Sequence, residues 1–198
     1  MGSRNPNSKG KTTTTRTTTL IHTSTIKILH LALLSSLVMA APLFAVGQTA
    51  HEHGAPPKLV QLVRAATEQF INVNDATAAG YAPFLGCISG SDHGAMGVHY
   101  VNGALLNGEI DVSHPQALIY EPSNGAMRLV GVEFIADQAT WLKNHPSPPV
   151  LEGQTFLQID SPNRYGILAF FELHVWAWRD NPQGAFVDWN NSVSCEDQ

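Results

Sequence analysis

The chain has 198 residues, 43% of them hydrophobic and 14% charged, with a formal net charge of −5. That composition excludes a disordered or collagen-like chain and suffices for one domain with appendages. The charge is unevenly laid out: Arg4, Lys9, Lys11, Arg16 and Lys27 precede Gly47, while all 16 acids follow it, leaving 6 bases against 16 acids and a balance of −10. A surface of that sign repels phosphate backbones and anionic membranes, which argues against nucleic-acid partners and leaves cations and neutral ligands open.

Residues 1–47 read as a signal peptide, with cleavage between 40 and 50. A basic, threonine-rich start ("KTTTTRTTT") leads into an apolar run from Ile28 to Val46, and small residues follow, as in "VMA" and "AVG". A transit peptide would lack so long an apolar block, and the run is only just long enough for a retained anchor. Pro42 and the small residues after it favour removal, hence a secreted or periplasmic protein without a stable membrane anchor. Residues 48–56 are small, polar and proline-ended, a flexible tether. His51, Glu52 and His53 lie within it and read as a loose, solvated group rather than a copper-chelating terminus.

Residues 57–198 read as a single α+β domain. Leu59, Leu62, Val63, Ala66, Phe70 and Val73 have the spacing of an amphipathic helix, entered after Pro56 and Pro57. A short helical turn from Asn74 or Asp75 should stop at Gly80. "CISGSDHGAMG" is glycine-rich and reads as a loop. Strand-like runs follow at 96–101, 116–121, 127–135, 155–159 and 166–178, with "PSNG" at 122–125 as a hairpin turn placing Gly125 at positive φ. A short helix is expected around 136–143. The whole gives an N-terminal helical segment packed on a curved antiparallel sheet or small β-barrel. Cys87 and Cys195 are the only cysteines, and an even pair in an oxidising compartment is most simply a disulfide.

The stretch "FFELHVWAW" (170–178) carries the chemistry. Alternation places Phe171, Leu173, Val175 and Ala177 on a wholly apolar face, and Phe170, Glu172, His174, Trp176 and Trp178 on the other. A buried acid and imidazole need partners, a proton or a cation. His99 in "GVHYV" and Glu133 in "VGVEFI" occupy comparable strand positions, with His93 on the glycine loop. His93, His99, Glu133, Glu172 and His174 therefore form a candidate site for a divalent transition metal, with imidazole and carboxylate donors suited to Zn²⁺, Mn²⁺, Fe²⁺ or Cu²⁺. Trp176, Trp178 and Tyr100 are candidates to line a ligand pocket, for a sugar or an aromatic molecule. The competing reading has Glu172 and His174 hydrogen-bonded to Tyr100, Tyr120 or Arg128, rigidifying the sheet. There is no H-E-x-x-H and no C-x-x-C, and "GCISG" is not a nucleophile elbow because its serine is displaced by one position.

The strings "SGSDHGAMGVHYVN", "PQALIYEP", "LVGVEFI" and "FELHVWAWRDNPQGAFVDWN" resemble a family of exported bacterial hypothetical proteins, over about Ala66 to Cys195. The resemblance implies export and no particular chemistry. One departure is Asn191, where the closing "DWN" pattern would be followed by proline. Three functions are thus open: an exported domain binding a metal or small molecule, with or without catalysis; a non-catalytic envelope or secreted protein locked by a polar network; and a binder of carbohydrate or a hydrophobic ligand using Trp176 and Trp178. Oligomeric state is not readable from the sequence.

Overall fold

Packing rather than capping holds the first helix. In the computed structural model, which describes residues 56–197 together with Thr15, α1 spans Lys58–Thr67 and buries Leu59, Val60, Val63 and Thr67 along one stripe. No side chain caps its start, and the Gln61 amide bonds the Pro57 carbonyl at 3.2 Å. A 3-10 turn over Glu68–Phe70 leads to α2, Val73–Ala78, whose start is capped by the Asn72 side chain accepting from the Asn74 amide. Gly80 at φ 94° ends the helical segment. The signal-peptide and tether readings, with His51, Glu52 and His53, fall outside the described residues. Among those described, no helix is long and apolar enough to cross a membrane.

The sheet follows. Strands β1 (Ala82–Gly90), β2 (Gly94–Val101), β3 (Ala117–Ser123) and β4 (Ala126–Asp137) form an antiparallel meander; α3 (Gln138–Trp141) interrupts it. A two-stranded ribbon, β5 (Val150–Leu151) with β6 (Gln154–Thr155), stands apart. Strands β7 (Leu157–Ile159) and β8 (Phe170–Val175) complete a six-stranded sheet in the order β1-β2-β3-β4-β8-β7, every pair antiparallel. The sheet curls into a half-barrel, mostly β with few helices, and this is the expected curved sheet with its N-terminal helical segment.

One face meets the helix. Leu118, Tyr120, Val132, Phe134, Phe171, Leu173, Val175 and Ala177 pack there against Leu59, Val60 and Val63, as alternation along β8 predicts. The β3–β4 turn has Asn124 at φ 52° and Gly125 at φ 76°, the paired positive φ values that match a two-residue hairpin to strand twist. Cys87 and Cys195 form a disulfide, with Cα atoms 5.7 Å apart and a sequence separation of 108.

Three expectations need correction. The glycine-rich segment is a strand pair, β1 and β2, with only Ser91–His93 as the turn. Its glycines serve close approach: a Cβ on Gly94 would lie 2.2 Å from the Asn190 carbonyl oxygen, and one on Gly97 would lie 2.7 Å from that of Tyr120. The strand read at 166–178 regularises only over Phe170–Val175, because beyond it the chain leaves the ladder and the Trp176 amide bonds the Ala185 carbonyl. Trp178 consequently lies on the helix side, its indole N–H donating to Thr67 Oγ1 at 3.0 Å.

Candidate functional site

The face away from the helix carries the polar groups. Cross-strand register sets Val101, Ala117, Glu133 and His174 in one row over β2, β3, β4 and β8, and sets His99, Ile119 and Gly131 in the next. Glu133 and His174 are direct neighbours. His99 reaches them diagonally, and it can do so because Ala117, between them, offers only a methyl group. Gly131 plays the matching part beside Trp176: a Cβ there would lie 2.9 Å from the Val175 carbonyl oxygen and 3.3 Å from the indole.

The outcome is a tight triad. His99 Nε2 lies 3.3 Å from His174 Nε2 and 3.4 Å from Glu133 Oε2. His99, Glu133 and His174 are 6%, 5% and 2% exposed, and Glu172 is 1% exposed. On the far edge of His174, Nδ1 sits 3.7 Å from Asp188 Oδ1, in a group formed with Glu172. The structure thus assembles four of the five sequence candidates. His93 lines an outer recess together with Glu172, His174 and Asp188.

Burial dominates the electrostatics. It pushes His99 down to about 4, and it pushes His174 well below the ordinary imidazole value with His99 adding to the effect. It drives Glu133 well above the carboxylate range, reinforced by the nearby charges of Glu172 and Asp188, and takes Glu172 up to about 7. Asp188 is raised by burial as well. The contact between Glu133 and Glu172 raises Glu133 further and partly counters the upward push on Glu172. Near neutrality the imidazoles are therefore uncharged, which is the form that binds metals.

Among the described residues, three buried side-chain atoms find no hydrogen-bond partner: His99 Nδ1, Glu172 Oε1 and His174 Nδ1. The partners the competing reading named are engaged elsewhere. Tyr120 donates to the Phe70 carbonyl at 2.6 Å, and Arg128 lies by Ser123 and Glu121. Tyr100 is on the helix side, edge-on to Tyr120 with ring centroids 5.0 Å apart, and so does not line the site. Trp176 is near, its ring 6.1 Å from that of His174, but it is buried and its N–H donates to the Val187 carbonyl at 2.6 Å.

The donor set fits a metal ion. Ligands about 2.0–2.1 Å from a tetrahedral zinc stand ~3.3 Å from one another, and the two distances from His99 Nε2 match that edge. His174 Nδ1 facing a carboxylate is the arrangement that orients a metal-bound imidazole. The triad also borders a cavity of about 50 Å³ walled otherwise by apolar residues such as Ile88 and Ile135, together with Tyr165. No family model, curated protein or solved structure matches this chain. The site is therefore argued from its own geometry. Asp188 was missed from the sequence because it stands in an irregular segment where no periodicity marks it as inward-facing.

Proposed function

We propose that this is an exported protein that holds one divalent transition metal ion through His99 Nε2, His174 Nε2 and Glu133 Oε2, with the remaining coordination position turned to the inner cavity. The observation that carries this reading is the convergence of three buried donor groups within 4.8 Å of one another, with both distances from His99 Nε2 at ligand spacing, drawn from strands far apart in sequence. An ion would relieve the cost of gathering two imidazoles and a carboxylate out of water. It would supply Lewis acidity at a position open to a small molecule, the arrangement of catalytic rather than closed structural sites. Export is supported by the disulfide together with the basic-then-apolar leader.

Elemental analysis of the purified protein tests the reading. Close to one equivalent of zinc or another divalent transition metal is expected, removable by chelator. Re-addition at a hundredfold excess over Kd should stabilise the fold by about 2.7 kcal/mol, a rise of several degrees in Tm. The rise should vanish in His174→Ala and in Glu133→Gln. A protein free of metal, with a Tm indifferent to both chelator and zinc, would instead assign these groups to a proton-sharing network that locks the sheet.

A further inference from the structure

We propose that the apolar groove beside this site binds a monocarboxylate with a medium-length apolar tail, whose carboxylate enters the inner cavity and completes the coordination of the ion; the inference rests on the metal reading above. The groove encloses about 690 Å³, a volume suited to a small molecule. It shares Phe84, Val101, Ile135, Ile167 and Phe170 with the walls of the inner cavity, so the two adjoin across these side chains, and the inner one is bordered by His99, Glu133 and His174.

The groove wall is built to be apolar at some cost. Phe84 is 40%, Leu106 49% and Leu168 74% exposed along it, which leaves large side chains in water unless a ligand covers them. β1 is distorted at the same place. Between Phe84 and Ile88 it takes four steps where β2 takes two, and Leu85 is forced to φ 62°. A bulky residue rarely adopts that conformation. The distortion turns Phe84, Leu85 and Ile88 together onto the cavity.

Two of the groove's polar side chains are engaged within the protein. Asp137 accepts from the Thr140 amide, and the Asn163 side chain holds the turn from Asp160 to Ile167. A ligand's polar end thus finds its partner at the base of the space, where the ion sits. Among the described residues, no Lys or Arg lines either compartment. A divalent ion held by the single carboxylate of Glu133 keeps an excess positive charge in a dry cavity, and an anionic oxygen neutralises it. Asp137 at the rim disfavours the reverse orientation. The inner cavity of about 50 Å³ has room for a carboxylate, since one water needs roughly 10–15 Å³ by the same measure.

The test uses the purified protein loaded with Co²⁺, whose visible spectrum reports its ligands. Decanoate should perturb the cobalt bands at concentrations at least about tenfold below those acetate requires, since each buried methylene adds to affinity. Leu106→Glu and Leu168→Glu, both at exposed positions, should weaken decanoate while leaving cobalt content and the acetate response unchanged. Acetate acting as well as decanoate would overturn the tail assignment, and decanol acting as well would overturn the carboxylate assignment. A protein that takes up cobalt but ignores decanoate refutes this inference alone. One that takes up no cobalt removes the metal reading and this one with it.

Discussion

His174 presents its two ring nitrogens to different partners: Nε2 to His99 at 3.3 Å, and Nδ1 to Asp188 at 3.7 Å. A neutral imidazole has one donor and one acceptor nitrogen, so the carboxylate beside Nδ1 favours a proton there and leaves Nε2 bare for an ion. Asp188→Asn removes that bias without touching a ligand. It should weaken zinc binding by about 10- to 100-fold, measured by competition with a chromophoric chelator, while the Tm of the metal-free protein changes little. Unchanged zinc affinity would show that Asp188 has no part in orienting the ring. At this scale the sequence was most legible where side chains alternate. An acid or imidazole in an apolar strand announces itself, and His99, Glu133, Glu172 and His174 do meet. Asp188 in "VDWN" carries no such period, and alternation does not place Trp178 because the chain leaves the sheet after Val175.

Among the elements, the β1–β2 pair shows what glycine does beyond flexibility. Gly97 has φ 89°, and a Cβ there would lie 2.7 Å from the Tyr120 carbonyl oxygen; Gly125 has φ 76° but open space around it. Gly125→Ala should therefore cost only the left-handed backbone penalty, ~1 kcal/mol, whereas Gly97→Ala should cost ~2 kcal/mol or more because backbone must move. Urea unfolding at constant m would measure the difference, and equal losses would contradict the steric account. The same glycines explain why this pair was read as a loop. Glycine density signals a break in periodicity, yet it also marks places where strands approach closely, and composition alone does not separate the two. The helical segment, the hairpin at 122–125 and the inner strands were legible because period and turn chemistry agree there.

For the molecule as a whole, the buried site sets a pH profile. Between about pH 4.5 and 6.5, the ordinary values of glutamate and histidine, the unfolded chain holds protons on both histidines, while the folded chain holds them on Glu133 and Glu172. The counts match, so these groups leave stability flat across that window. Above it the unfolded chain sheds its histidine protons while the folded one retains carboxyl protons, and stability falls as pH rises through about 7. Below it the unfolded chain binds all four protons while the folded histidines resist, and stability falls towards about pH 4. The metal-free Tm should thus plateau and decline on both sides, and zinc should abolish the alkaline decline by replacing the protons. A metal-free Tm that climbs from pH 6.5 to 8 would refute this assignment.

The disulfide also has a topological consequence. Cys87 and Cys195 stand 108 residues apart, and His99 and His174, 75 apart, fall wholly between them. An ion gripped by the two histidines would tie a small ring inside a larger one that covalent chemistry has already tied. Withdrawing the ion slackens the inner ring while the outer knot stays fast. Such a molecule could be emptied in a metal-poor medium and refilled later without the segments around Cys87 and Cys195 ever parting.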